Sequence, residues 1–374
     1  MMARRRTSLA VITSAAMLTL SACGGGGSTP DSASEEKPFA GETLVVGGPQ
    51  ANIIDTVRAG GAFDKAFKKE TGATIKWIPG QAPDNLTKLI SSKGSTPPFD
   101  VAFLDNVQQE RAIAADVIEQ IDPKKLKSTA HLPKTSGYPH PGYGPAWVVI
   151  RLGYCINTKA YKDNGITIPK NIEGWFDPKL ANHIALPDPN NFYWQATMPA
   201  LADHYGVSYN NPQKLINKLA TIKAQEFFTS SSAAQSSLQS GNVWLAPITD
   251  GRCLGLKLGG QPVKLIPLNL NVGGKAYPYA GLVDTWDIAK GSENKELALK
   301  FIDMALSERG TMPMIEKFGY LPSRQDLLAK AKGMEDYKPL IGDFSFDQLY
   351  FPDYEKFAPH LRDWTDTWNK AFKK

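Results

Sequence analysis

The side chains best suited to chemistry in this sequence are acids and aromatics placed at the ends of strand-like stretches. In Gly281-Leu282-Val283-Asp284-Thr285-Trp286-Asp287-Ile288 the alternation leaves Asp284 and Trp286 on one face. Asp105 and Asn106 close the apolar run that begins at Asp100, and Asp250 and Arg252 follow the run from Val243 to Ile248. A carboxylate beside an aromatic ring suits an ammonium group. A buried ammonium must be paired, because its desolvation otherwise exceeds any gain, and a ring face adds roughly 0.5–2 kcal/mol of cation–π attraction. Arg252 suits an anionic group. Each residue also has a plainer role: Asp at a strand-to-helix turn commonly caps the helix, and Trp286 serves a core as readily as a cleft.

Catalytic patterns are missing. The five histidines (His131, His140, His183, His204, His360) are scattered, without HExxH or paired-ligand spacing. There is no GxSxG, no P-loop and no GxGxxG after a strand, and Cys155 and Cys253 lack CxxC spacing. An enzyme, a resident metal and a cofactor are therefore not expected.

The elements that must position these residues alternate. Glu42–Gly48, Ala73–Pro79 and Asp100–Asp105 read as strands, and Ala59–Glu70 and Asp84–Ser92 read as helices between them. This alternation implies an α/β sheet with helices on both faces. Ligands of such sheets collect at the carboxyl ends of the strands, which gathers Gly48-Pro49-Gln50, Gly80-Gln81 and Asp105-Asn106 at one rim. Later, Gln195–Tyr205 and Pro212–Lys223 read as helices. Ser292 is the expected N-cap of one long amphipathic helix carrying Leu297, Ala298, Phe301, Ile302, Ala305 and Leu306. The tail places Leu361, Trp364, Trp368 and Phe372 at helical spacing.

With 374 residues, 42% hydrophobic and 21% charged, the chain is long enough for two domains and can bury a core. Arg4-Arg5-Arg6, the short apolar run Ser8–Leu20 and Leu20-Ser21-Ala22-Cys23 look like a signal peptide ending in a bacterial lipobox. Cys23 is then the lipidated residue, anchored by more than one acyl chain, and Gly24–Lys37 a flexible tether. Removing positions 1–22 with their three arginines lowers the net charge of +5 to +2, too little for a nucleic-acid partner. Outside the cytoplasm Cys155 and Cys253 either pair or remain buried thiols, and the sequence does not choose.

The order of parts from Ala280 to Arg324 (strand, polar turn, the "NKE-ALKFI" helix, the exit Phe318-Gly319-Tyr320) resembles extracellular solute-binding proteins of ABC importers. The branch it resembles most binds spermidine and putrescine, with iron-binding relatives further off. "FDVAFLDN" with "VIEQID", "GPAWVVIRLGYCINT" and "NIEGWFDPKLANHIALPDPN" extend the resemblance from Glu42 to the C-terminus. It implies a two-lobed periplasmic-binding-protein-like (type II) α/β fold with a ligand cleft between the lobes. One lobe is expected from 42–146 plus about 277–318, the other from 147–276 plus about 319–374, following a signal peptide (1–22) and tether (23–41).

The resemblance also implies roles: Asp284 as main ammonium partner, Asp105, Asp188 and Asp250 as supporting acids, and Trp194, Trp286 and Trp147 as walls. The sequence departs from the polyamine pattern in the loop after Pro187, where Asp188 is followed by Asn190 and Asn191 rather than a second acid. Amides suit a ligand with fewer positive charges or with its own carboxylate. The adjacent tyrosines suited to ferric iron are missing. A polyamine or related amine is the first expectation. An amino-acid-like zwitterion, a phosphonate, thiamine or ferric iron is the alternative, and an anchored hydrolase or adhesin a more distant one. The expected partners are the solute, a membrane permease and, through Cys23, the membrane itself. A monomer is expected.

Overall fold

The computed structural model describes residues 37–133 and 140–372. The signal peptide, Cys23 and most of the tether lie outside them, as does part of the stretch from Leu132 to Ala146.

The first third is a run of parallel β–α units. They are β1 (Thr43–Gly47), α1 (Ala51–Arg58), α2 (Ala62–Thr71), β2 (Thr74–Ile78), α3 (Ala82–Ser91), β3 (Val101–Asp105) and α4 (Asn106–Ala114). Two of these helices were not apparent in the sequence. The helix read from Ala59 begins at Ala62, because Ala59, Gly60 and Gly61 all take positive φ and separate it from α1. Next comes β4 (Ala146–Leu152), then β5 (Tyr154–Asn157), α5 (Thr158–Asp163), β6 (Ala185–Pro187), α6 (Phe192–Tyr205) and α7 (Gln213–Leu219). The chain continues through β7 (Glu226–Phe228), α8 (Ser231–Ser240), β8 (Leu245–Ala246), α9 (Asp250–Leu258) and β9 (Val263–Ile266). The return consists of the hairpin β10 (Leu270–Val272) and β11 (Lys275–Tyr277), then β12 (Tyr279–Ile288), α10 (Lys295–Ala305) and α11 (Glu308–Phe318). The tail holds β13 (Leu321–Pro322), α12 (Gln325–Lys332), α13 (Lys338–Ile341), β14 (Leu349–Tyr350), α14 (Tyr354–Phe357) and α15 (Leu361–Phe372).

One sheet of seven strands carries the order β13-β4-β12-β3-β1-β2, with β14 joined to β12. A second body of sheet consists of β8-β5-β9 and the parallel pair β6-β7. The class is mixed α/β. The strand β12 lies in the middle of the large sheet, buried from Ala280 to Ile288, and runs antiparallel to both β3 and β4. β4 pairs along its length in this sheet, and β13 and β14 add to it. The chain passes from this sheet to the next at Gly153, between β4 and β5, and the tail contributes β13 and β14 to the first sheet. Gly153 is where outgoing and returning chains touch: a Cβ there would stand 2.7 Å from the carbonyl oxygen of Ile266.

The expected long helix after β12 is two helices. Ser292 donates to Asp100 (2.8 Å) and accepts the Asn294 amide (3.1 Å), but the N-cap position is Asn294 and α10 starts at Lys295. The Ser307 hydroxyl donates to the Met304 carbonyl (2.6 Å) where α10 ends and α11 begins.

Two covalent or ionic ties hold the second sheet to its surroundings. Cys155 on β5 and Cys253 on α9 form a disulfide, with Cα atoms 5.6 Å apart. Arg151, 5% exposed, donates from Nε to Asp250 at the start of α9, and its remaining donors reach the carbonyls of Ile341 (3.1 Å) and Leu340 (2.5 Å). One guanidinium therefore joins β4, α9 and α13.

The disulfide closes a loop spanning 98 residues of sequence. Denaturant unfolding of Cys155→Ala/Cys253→Ala should show a loss of about 2–5 kcal/mol. Asp250→Ala should cost about 3–5 kcal/mol, since it leaves Arg151 buried without its counter-charge.

Candidate functional site

The C-terminal ends of β1 and β3 are drawn together by one side chain. Asn85, fully buried on α3, donates to the carbonyls of Gly47 (3.2 Å), Gly48 (3.1 Å) and Phe103 (3.0 Å). At this rim opens a cavity of about 70 Å³. Pro49, Gln50, Gly80 and Gln81 line it from the large sheet, and Asn190, Asn191, Ser230, Ser231 and Arg252 from the elements of the second.

Its floor is made by two carboxylates. The antiparallel register of β12 on β3 sets Asp284 directly opposite Asp105, a spacing at which side chains interact strongly. Asp105 is 3% exposed and accepts the Gln108 amide at 2.8 Å, capping α4. Burial pushes its carboxyl up to about 6 in spite of that bond. Asp284 is 6% exposed and has no hydrogen-bond partner among the described residues. Burial first, and then the neighbouring Asp105, hold its carboxyl well above the usual range. Burial and mutual proximity thus favour the protonated form of the pair, and a cation between the two would favour its ionised form.

The opposite wall is of the other polarity. Arg252 reaches Ser232 Oγ (3.2 Å) and Gln235 Oε1 (3.0 Å), and its Nε is buried without a partner. Four helices, α1, α3, α6 and α8, begin at the cavity, and their N-termini carry partial positive charge. Arg252 and Tyr320 arrive on adjoining glycines. A Cβ on Gly251 would fall 1.6 Å from the Phe318 carbonyl oxygen, and one on Gly319 2.5 Å from the Gly251 Cα, so only glycines let these backbones touch.

Of the expected site residues, the structure brings Asp105, Asn190, Asn191, Arg252 and Asp284 to the cavity. The others lie elsewhere. Trp286 is fully buried among Trp77, Phe103, Trp147 and Phe301, and stands behind Phe103 (centroids 5.6 Å apart), the ring that lines the cavity. Trp147 belongs to the same cluster, its Nε1 bonded to the Gly310 carbonyl at 3.2 Å. Trp194 is fully buried against Trp368. Asp250 is consumed by Arg151. Asn106 turns under the sheet, its Oδ1 3.5 Å from the Val283 amide. Asp188 shapes its own turn by accepting both the backbone (3.0 Å) and side-chain (2.9 Å) amides of Asn190, and Asn191 caps α6. Ser230, Ser231 and Tyr320 were not singled out in advance. The Ser230-Ser231-Ser232 run before a helix was the available signal. Among the described residues no group of three or more His, Cys, Asp or Glu could hold a metal ion.

Residues 62–339 match the model of the bacterial extracellular solute-binding protein family. The chain belongs to that family. Its members bind solutes rather than catalyse reactions, and the family is exported from the cytoplasm. No curated protein matches the sequence significantly. Among solved structures, an ABC transporter protein from Clostridium perfringens is 21% identical, with 88% of this chain and 99% of that one covered and a TM-score of 0.70. AfuA from Actinobacillus pleuropneumoniae, holding fructose-6-phosphate, is 19% identical over 89% and 99%, with a TM-score of 0.68. The spermidine/putrescine substrate-binding protein PotD from Streptococcus pneumoniae is 16% identical over 89% and 98%, with a TM-score of 0.63. These likenesses establish the two-lobed solute-binding fold. Among the described residues no helix is long and apolar enough to cross a membrane.

The acid pair has a defined pH signature. Its raised carboxyls bind protons more tightly than the unfolded chain does, so the pair costs the empty fold stability as pH rises above about 4, through about 6 for Asp105. Asp284→Asn removes that cost. In urea titrations the variant should gain on the parent at pH 8, by about 1–3 kcal/mol, and gain less at pH 5. A gain that grows toward low pH would contradict the assignment.

Proposed function

We propose that this protein is the solute-binding component of an ABC importer, held at the membrane through lipidated Cys23, and that its solute presents a protonated amine to Asp284 and Asp105. The observation that carries this reading is the pair itself: two nearly buried carboxylates in direct register, one of them without a hydrogen bond. Such a pair is costly when empty and favourable when a cation lies between its members. An ammonium supplies that charge together with several donors. Phe103 provides the apolar surface beside it.

The resemblance of the sequence to polyamine-binding proteins and the structural likeness to the spermidine/putrescine-binding PotD both support an amine. Capture is by closure of two lobes around the cleft. The lobes are built on the seven-stranded sheet and on the β8-β5-β9 and β6-β7 sheets, and they pivot about the passage at Gly153 and the return into β12. A hydrogen-bonded link behind the cleft, Gln108 Nε2 to Gln195 Oε1 (2.6 Å) and Gln195 Nε2 to the Pro189 carbonyl (3.0 Å), joins the helix capped by Asp105 to the loop carrying Asn190. The protein acts as a single chain and hands its solute to the permease in the closed state, the work being differential binding to that state.

Calorimetric titration of the purified protein with a panel of small amines should find a ligand whose affinity rises from pH 5 to pH 7.5, since binding expels the proton held on the pair. Asp284→Asn should weaken that ligand at least about thirtyfold, or about 2 kcal/mol, without unfolding the protein. Unchanged affinity in this variant would remove the acid pair from the site.

A further inference from the structure

The proposed ammonium site occupies only the floor of the cavity, and the wall facing it carries the opposite polarity. Helix α8 begins at Ser230, whose hydroxyl takes the Ala233 amide (3.3 Å). The amides of Ser231 and Ser232 remain without acceptors, as the first turn of a helix leaves them. Ser231 is 4% exposed, lines the cavity, and its hydroxyl has no partner. A buried hydroxyl with nothing to bond is costly unless a ligand completes it. Beside it stands Arg252, with Nε also buried and unpartnered. Two further helices open on the same cavity without side-chain caps, α1 after Gln50 and α3 after Gln81.

From this geometry we infer that the solute is a short zwitterion, its amine on Asp284 and Asp105 and an anionic head group on Arg252, Ser231 and the amino end of α8. The inference rests on the amine reading above and extends it to the other end of the molecule. Among the described residues, the charged groups lining the cavity are two carboxylates and one guanidinium. A diamine reaching across would press its second ammonium against that guanidinium and against helix ends of like polarity. An anionic head group instead meets donors on every side. Size limits the length of the solute. A cavity of about 70 Å³ corresponds to about five to seven waters, enough for a compact solute with a few carbons between its two ends. Carboxylate and phosphonate share the required chemistry.

The test titrates the full chain with ω-amino acids of three to six carbons, ω-aminoalkylphosphonates and diamines of matching length, and the monocarboxylates that lack the amine. At one chain length a zwitterion should bind at least tenfold more tightly than both its diamine and its monocarboxylate counterparts. The better of carboxylate and phosphonate assigns the head group. Arg252→Gln should abolish that preference while leaving diamine affinity unchanged or higher. Ser231→Ala should lower zwitterion affinity severalfold, which keeps the test informative if the arginine variant folds poorly. A diamine binding as well as any zwitterion would overturn the anionic subsite and leave the ammonium site standing. A monocarboxylate binding as well as the zwitterion would overturn the ammonium site and the zwitterion with it. Failure of every zwitterion in the panel would overturn the inference whatever the diamines do.

Discussion

The antiparallel pairing of β12 with β3 is the constraint from which the rest follows. It is a backbone register, fixed by burial on both faces of β12, since a slip of one residue would turn every side chain of that strand over. The register forces Asp284 and Asp105 into adjacency in a place where neither is well hydrated. A fold that only had to be stable would not keep two carboxylates there. Their cost in the empty state has to be met by the surrounding framework.

That framework is polar as well as apolar. Asn85 ties the ends of β1 and β3. Arg151 joins β4 to α9 and to the tail through Asp250 and two carbonyls, and the disulfide fixes α9 to β5. These ties lie behind the cavity and hold its walls, so the donors and acceptors facing the solute do not need to be ordered when it arrives. The aromatic cluster of Trp77, Phe103, Trp147, Trp286 and Phe301 does the corresponding apolar work under the floor.

Polarity across the cavity is arranged by secondary structure rather than by many charges. One floor of acids comes from two adjacent strands, and one wall of positive potential comes from helix starts reinforced by Arg252. Because β–α units turn at the carboxyl ends of their strands, Asp105 and the helix N-termini reach the same rim by topology, and the register of β12 sets Asp284 beside them. An asymmetric solute is the natural complement of such a rim.

Much of this was legible in the chain itself. The alternation of strands and helices to Asp105 fixed the α/β class. Asp105 could be chosen as a strand-end acid, Asp284 by its strand face and the family resemblance, and Arg252 as an anion partner. What the pattern could not decide was depth. Trp286 shares a face with Asp284 yet lies one layer further in, where Phe103 covers it. Asp250 sits at a similar strand-to-helix turn to Asp105, yet Arg151, 99 residues away in sequence, claims it. Pairing of Cys155 with Cys253, the role of Asn85, and the Gly251–Gly319 contact that presents Arg252 and Tyr320 likewise depend on segments far apart in the chain. Periodicity reports the face on which a side chain lies. Which face is then covered, paired or left open to a solute is set by the packing of distant elements, and only the tertiary structure supplies that.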